Sequence, residues 1–225
     1  MTKDEVRARV LEVGIVPVIR AGSAKKAIAA AEAVVAGGIT VLEVTMTVPG
    51  AIGAIRHAIH NLGREVIVGA GTVLDARTAD LCFDAGAEFL VTPGLDVETV
   101  RAATGAGKLI MAGALTPTEI IAAWRAGADF VKVFPASAVG GASYIKALRG
   151  PLPHVALVPT GGVNLKTAAD FLRAGSAALG VGSELISASA LKSGDMSTIT
   201  ELAKKYLAIV REVREAEANP AMASA

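Results

Sequence analysis

Short apolar runs alternate along the chain with longer Ala-rich amphipathic segments, the pattern of parallel strands covered by helices rather than of a sandwich or a bundle. Eight strands are predicted, at 15–19, 40–45, 65–69, 88–92, 108–112, 129–134, 155–159 and 177–182. Helix signals fill the gaps. Ser23 precedes an Ala-rich segment that stops at Gly37, Asp75 precedes one ending near Gly86, and Thr116-Pro117-Thr118-Glu119 is a capping box with proline at the first helical position. A weak repeat sets the register: Gly38, Gly86, Gly127 and Gly175 each stand where a helix stops and an even-numbered strand begins. Three residues on come Val41, Phe89, Phe130 and Ala178, five on Glu43, Val91, Lys132 and Gly180, and seven on Thr45, Pro93, Phe134 and Gly182. In a closed eight-stranded βα barrel, four inward side chains from alternate strands share a layer, so these sets read as successive layers of one interior. The predicted fold is therefore α/β, a single (β/α)8 TIM barrel over residues 1–215 with an N-terminal and a C-terminal helix. The C-terminal helix, Ser197 to about Glu215, is expected to cover the open barrel end or a neighbour, and 216–225 to form a flexible tail.

The chain has 225 residues, of which 52% are apolar, enough for one large core and incompatible with disorder over its bulk. Twenty-two basic and 21 acidic side chains leave a net charge of +1, so no general field draws nucleic acid or an anionic membrane, and a small-molecule ligand is expected. No apolar run reaches 18 residues, which argues against a spanning helix. A single cysteine, Cys82, and a start without the apolar core of a signal peptide make the cytoplasm the expected compartment.

The second layer changes the picture, because it puts a lysine and a glutamate into one narrow interior with Gly180 leaving room between them. The bland reading is a buried structural ion pair; the functional reading is an acid/base and nucleophile constellation. Burial favours the neutral amine and the carboxylate opposes that shift, so residue identities alone leave the sign open. Glycine-bearing turns are read at the same end: Gly69-Ala70-Gly71-Thr72, Pro159-Thr160-Gly161-Gly162-Val163-Asn164 and Gly180-Val181-Gly182-Ser183. The latter two follow strands seven and eight, where loops leading into helix N-termini bind phosphate in this barrel class, and so imply a phosphorylated substrate.

Five segments carry a resemblance: Gly14-Ile15-Val16-Pro17-Val18-Ile19-Arg20, Leu42-Glu43-Val44-Thr45, Val68-Gly69-Ala70-Gly71-Thr72-Val73, Val131-Lys132-Val133-Phe134-Pro135 and Pro159-Thr160-Gly161-Gly162-Val163. In this order, over about residues 5 to 210, the chain resembles the 2-keto-3-deoxy-6-phosphogluconate (KDPG) and 4-hydroxy-2-oxoglutarate aldolase family. The resemblance implies a class I aldolase of the Entner–Doudoroff pathway, a homotrimer needing neither metal nor cofactor, that cleaves its substrate to pyruvate and glyceraldehyde 3-phosphate. By motif, Lys132 is the Schiff-base lysine and Glu43 the general acid/base. Thr72 resembles the residue that binds the pyruvate carboxylate or ketone oxygen. Pro93, Phe134 and Thr160 resemble pocket walls, and Gly161, Gly162, Gly182 and Ser183 the phosphate cradle. Where part of the family carries a carboxylate-gripping arginine, this chain has Thr47, and Arg20 is the expected replacement. Related substrates, 2-keto-3-deoxy-6-phosphogalactonate or 4-hydroxy-2-oxoglutarate, fit the same chemistry. From other classes, an imine-free sugar-phosphate isomerase or epimerase and a non-catalytic assembly module remain alternatives.

Other reactive side chains read as structural. His57 and His60 lie three apart on one polar helix face with no third metal ligand evident, His154 sits in a Pro-flanked loop, Cys82 packs as a small hydrophobe, and Trp124 belongs to core or interface. The alanines between Ala27 and Ala33 are compatible with close packing against another subunit.

Overall fold

The computed structural model describes residues 1–219. Strands and helices alternate from the first strand: α1 (Lys3–Val13), β1 (Ile15–Ile19), α2 (Ala24–Ala36), β2 (Val41–Thr45), α3 (Ala51–Asn61), β3 (Ile67–Gly71), α4 (Ala76–Asp84), β4 (Phe89–Val91) and α5 (Val97–Gly105). The second half repeats the alternation with β5 (Leu109–Ala114), α6 (Pro117–Arg125), β6 (Phe130–Val133), α7 (Ala142–Arg149), β7 (Leu157–Pro159), α8 (Ala168–Arg173), β8 (Leu179–Val181), α9 (Ala188–Ser193) and α10 (Met196–Ala218). The eight strands are parallel in the order β7-β6-β5-β4-β3-β2-β1-β8, and a bridge between Thr160 and Gly180 closes β7 on β8. The fold is a (β/α)8 barrel, as the hydrophobic pattern predicts.

Local chemistry fixes the ends. Ser23, Asp75 and Thr116 each accept a backbone N–H at a helix start, and Thr116 with Glu119 completes the capping box. Gly38, Gly86, Gly127 and Gly175 take φ of 95°, 97°, 102° and 92°, a left-handed turn that costs glycine little and starts the next strand at a fixed offset. The repeat in the sequence is thus a repeat of backbone conformation.

Val41, Phe89, Phe130 and Ala178 pack in one buried interior cluster with Val16, Ile67, Leu109 and Val158, as the counted register requires. Val6 and Val10 of α1 join that cluster, so the N-terminal helix plugs the barrel's lower end. The C-terminal helix does not cover an end. It lies along α2 and α8. Thr200 Oγ1 donates to the Ala33 carbonyl at 2.9 Å, and a Cβ on Gly37 would come within 2.5 Å of the Ala203 methyl, so the two helices touch backbone to side chain. Ala27, Ala30, Ala31 and Ala33 are accordingly buried within this one chain rather than displayed to another. The helix runs to Ala218, past the expected stop at Glu215, and residues 220–225 of the expected tail lie outside the described residues. No helix among the described residues is long and apolar enough to cross a membrane.

The third strand sits two residues later than its apolar run suggests. Gly69-Ala70-Gly71 is strand, not turn, because glycine there makes room: a Cβ on Gly69 would lie 2.4 Å from the Phe89 ring, and one on Gly71 2.6 Å from Glu43 Oε1. Interior glycines are read as turns when only the sequence is weighed.

Candidate active site

Glu43 and Lys132 are buried, at 1% and 2% exposure, from β2 and β6. Glu43 pairs in register with Val18 of β1 and Gly69 of β3; Lys132 pairs with Gly113 of β5 and Val158 of β7. The two side chains form no contact ion pair among the described residues, and Glu43 Oε1 has no hydrogen-bond partner. A buried pair kept for structure would satisfy its charges, whereas an orphaned carboxylate oxygen costs stability, so the structural ion-pair reading loses its support. Burial pushes the Lys132 ammonium below the ordinary lysine range, with Glu43 opposing and Arg20 assisting. Burial likewise raises the Glu43 carboxyl, against the charges of Lys132 and Arg20. Desolvation therefore wins at both groups, which settles the sign that the sequence leaves open.

Above the pair, at the C-terminal ends of the strands, lies a cavity of about 610 Å³. Of the residues singled out from the sequence, Arg20, Thr47, Phe134, Thr160, Gly161, Gly162, Gly182 and Ser183 line it. Glu43 and Lys132 are almost wholly buried beneath it. They lie beside its floor, where Val18 is the strand partner of Glu43 and the Phe134 ring centroid is 5.4 Å from Lys132 Nζ. Gly180 leaves room for Thr160 rather than between the charges, since a Cβ there would sit 2.1 Å from Thr160 Oγ1. Gly161 and Gly162 have φ of 89° and 78°, and any side chain at 162 would strike Ser137.

Thr47 is anchored: its hydroxyl lies 2.8 Å from that of buried Thr45, which donates to the Ile19 carbonyl at 3.1 Å. The residue after Ile19 is Arg20, so this bridge ties Thr47 to the strand end that carries the guanidinium. Thr72 and Pro93 are half-buried and are not brought to the cavity wall. Thr72 is the one non-glycine residue with positive φ among the described residues, at 56°, a conformation that costs a β-branched residue about 1–2 kcal/mol. Pro93 is held over β5, where Gly113, the partner of Lys132, has no room for a Cβ beneath it and donates its N–H to Thr92.

Sequence reading misses three charged groups on the cavity, Lys26, Glu184 and Lys192. The position of Lys26 three residues after the Ser23 cap was a usable signal. Lys192 had none, because α9 is a six-residue helix without a hydrophobic period long enough to detect. The helices after β7 and β8 also begin late, at Ala168 and Ala188, so the glycine loops rather than helix ends form the rim. His57 and His60 are exposed on α3, His154 is exposed against the Trp124 edge at 5.7 Å, and Cys82 is buried with its thiol raised to about 11.

A parallel eight-stranded barrel with ionisable groups inside it and a cavity lined by cations and glycine loops at the strands' C-terminal ends is the architecture of a barrel enzyme. The model of the KDPG and KHG aldolase family matches residues 6–202. The chain is 39% identical over 191 residues to the KHG/KDPG aldolase of Escherichia coli K12, covering 85% of this chain and 89% of that one. It is 32% identical over 203 residues to the 2-dehydro-3-deoxy-6-phosphogalactonate aldolase of the same organism, with 90% and 95% covered. The structure of KDPG aldolase from Legionella pneumophila with pyruvate captured as a covalent carbinolamine superposes with a TM-score of 0.81 at 34% identity, covering 88% of this chain and 96% of that one. The chain belongs to the KDPG and KHG aldolase family and is an aldolase, a carbon–carbon lyase.

Proposed function

We propose that the protein is a class I aldolase that reversibly cleaves 2-keto-3-deoxy-6-phosphogluconate to pyruvate and glyceraldehyde 3-phosphate through an imine on Lys132. The observation that carries this reading is the buried, unpaired Lys132–Glu43 constellation, in which desolvation lowers the amine toward its nucleophilic form. The neutral Nζ adds to the C2 ketone, and loss of water from the carbinolamine gives an iminium. The C3–C4 bond then breaks: its electrons pass into the iminium to form an enamine, while Glu43 takes the C4 hydroxyl proton and glyceraldehyde 3-phosphate leaves. Protonation of the enamine at C3 and hydrolysis return pyruvate and free lysine. The carbinolamine described for the Legionella relative supports the first step.

Arg20 grips the C1 carboxylate in place of an arginine at Thr47, the Phe134 ring holds the imine plane, and Gly161, Gly162, Gly182 and Ser183 cradle the phosphate. The same reading makes the enzyme a cytoplasmic homotrimer. A coupled assay with lactate dehydrogenase tests it. Wild type releases pyruvate from the phosphorylated keto-deoxy acid, Lys132→Met releases none, and Arg20→Ala raises KM about tenfold or more with a smaller change in kcat. Release of no pyruvate by wild type, or retained turnover in Lys132→Met, contradicts the proposal.

A further inference from the structure

We infer that Lys26 and Lys192 are the specificity-determining cations of this site, reading the phosphate at the far end of the substrate and setting the preference for phosphorylated over unphosphorylated keto-deoxy acids. The inference rests on the aldolase reading above and adds residues that its motifs do not contain. Three cations line the cavity, Arg20, Lys26 and Lys192, against one carboxylate, Glu184. None of the three has an ion-pair partner among the described residues. Arg20 directly follows β1 and acts on the charges of both Lys132 and Glu43, so it serves the end of the substrate nearest the reacting carbon.

The lysines stand further out. Lys26 is in the first turn of α2, after β1, and Lys192 is on α9, after β8; β1 and β8 are paired in the barrel, and both lysines line the same cavity as Gly182 and Ser183. Lys26 is also poorly placed for its own helix. The first turn of α2 carries no acidic residue, and a cation at that positive end opposes the peptide dipoles, so the charge is not there for helix stability. Charge matching selects the ligand. A keto acid with a phosphate brings one carboxylate and about two further negative charges, enough to engage all three cations, whereas an unphosphorylated sugar acid leaves the outer pair unused.

The test compares wild type with Lys26→Met, Lys192→Met, their double variant and Lys192→Arg on 2-keto-3-deoxy-6-phosphogluconate and 2-keto-3-deoxygluconate. The expected result is a fall of about tenfold per lysine in the ratio of kcat/KM for the phosphorylated over the unphosphorylated acid, expressed in KM, with Lys192→Arg retaining most of the ratio and the double variant showing a flatter dependence on ionic strength. An unchanged ratio in a double variant that melts as wild type does overturns the inference. If wild type cleaves neither acid, the aldolase reading has failed, and calorimetric titration with inorganic phosphate decides the lysines separately: binding by wild type that the double variant loses supports them, while equal binding, or none in wild type, overturns them.

Discussion

At the scale of single residues, the site is a contest between desolvation and charge. Lys132 is held below its ordinary range by burial although Glu43 pulls the other way, and Arg20 adds to the lowering. The pH dependence of imine formation therefore has a definite sign. The rate of pyruvate trapping rises with pH as the amine loses its proton, and its midpoint falls below the roughly 10.4 of a free lysine. Glu43→Gln removes the charge that keeps the proton on Lys132, so the midpoint moves to lower pH; Arg20→Ala removes a charge that expels it, so the midpoint moves up. Stopped-time borohydride trapping across a pH series reads both shifts, and displacements in the opposite senses would reject this electrostatic account. Thr72, in a left-handed conformation beside Gly71, marks the same region as one where the fold tolerates local cost.

At the scale of elements, strands position the chemistry by what they omit as much as by what they carry. Gly71 on β3 faces Glu43 of β2 so closely that a methyl group would sit 2.6 Å from Oε1. Gly71→Ala is expected to displace the carboxylate and lower kcat about 100-fold or more, with a melting temperature only a few degrees below wild type, since one methyl is added to a packed interior. A variant with wild-type kcat would show that the carboxylate's place is not set by β3. The eight strands were legible in the sequence from their apolar runs, and the layer shared by Glu43 and Lys132 because left-handed glycines at 38, 86, 127 and 175 repeat a backbone event before each even-numbered strand, and offsets counted from them keep the period-two alternation of strands. The slip at β3 has a physical cause: interior glycine and turn glycine are the same letter. The course of α10 along α2, and the plug made by Val6 and Val10, depend on long-range packing that no local period encodes. Lys192 was invisible for a related reason, since its charge gains meaning only where β8 meets β1.

At the scale of the molecule, a chain of net charge +1 concentrates unpaired cations at one mouth. Helix α1 fills the lower end of the barrel, and of the described cavities the upper one is lined by Phe134, the ring beside the buried amine. The whole account depends on that amine capturing a ketone. Mass spectrometry of the protein incubated with pyruvate and borohydride, followed by peptide mapping, measures it directly. The account predicts one irreversible pyruvyl adduct per chain, located on Lys132 and absent without pyruvate. A protein that stays unmodified, or an adduct that maps to Lys26, Lys192 or another exposed lysine while Lys132 remains free, would contradict it.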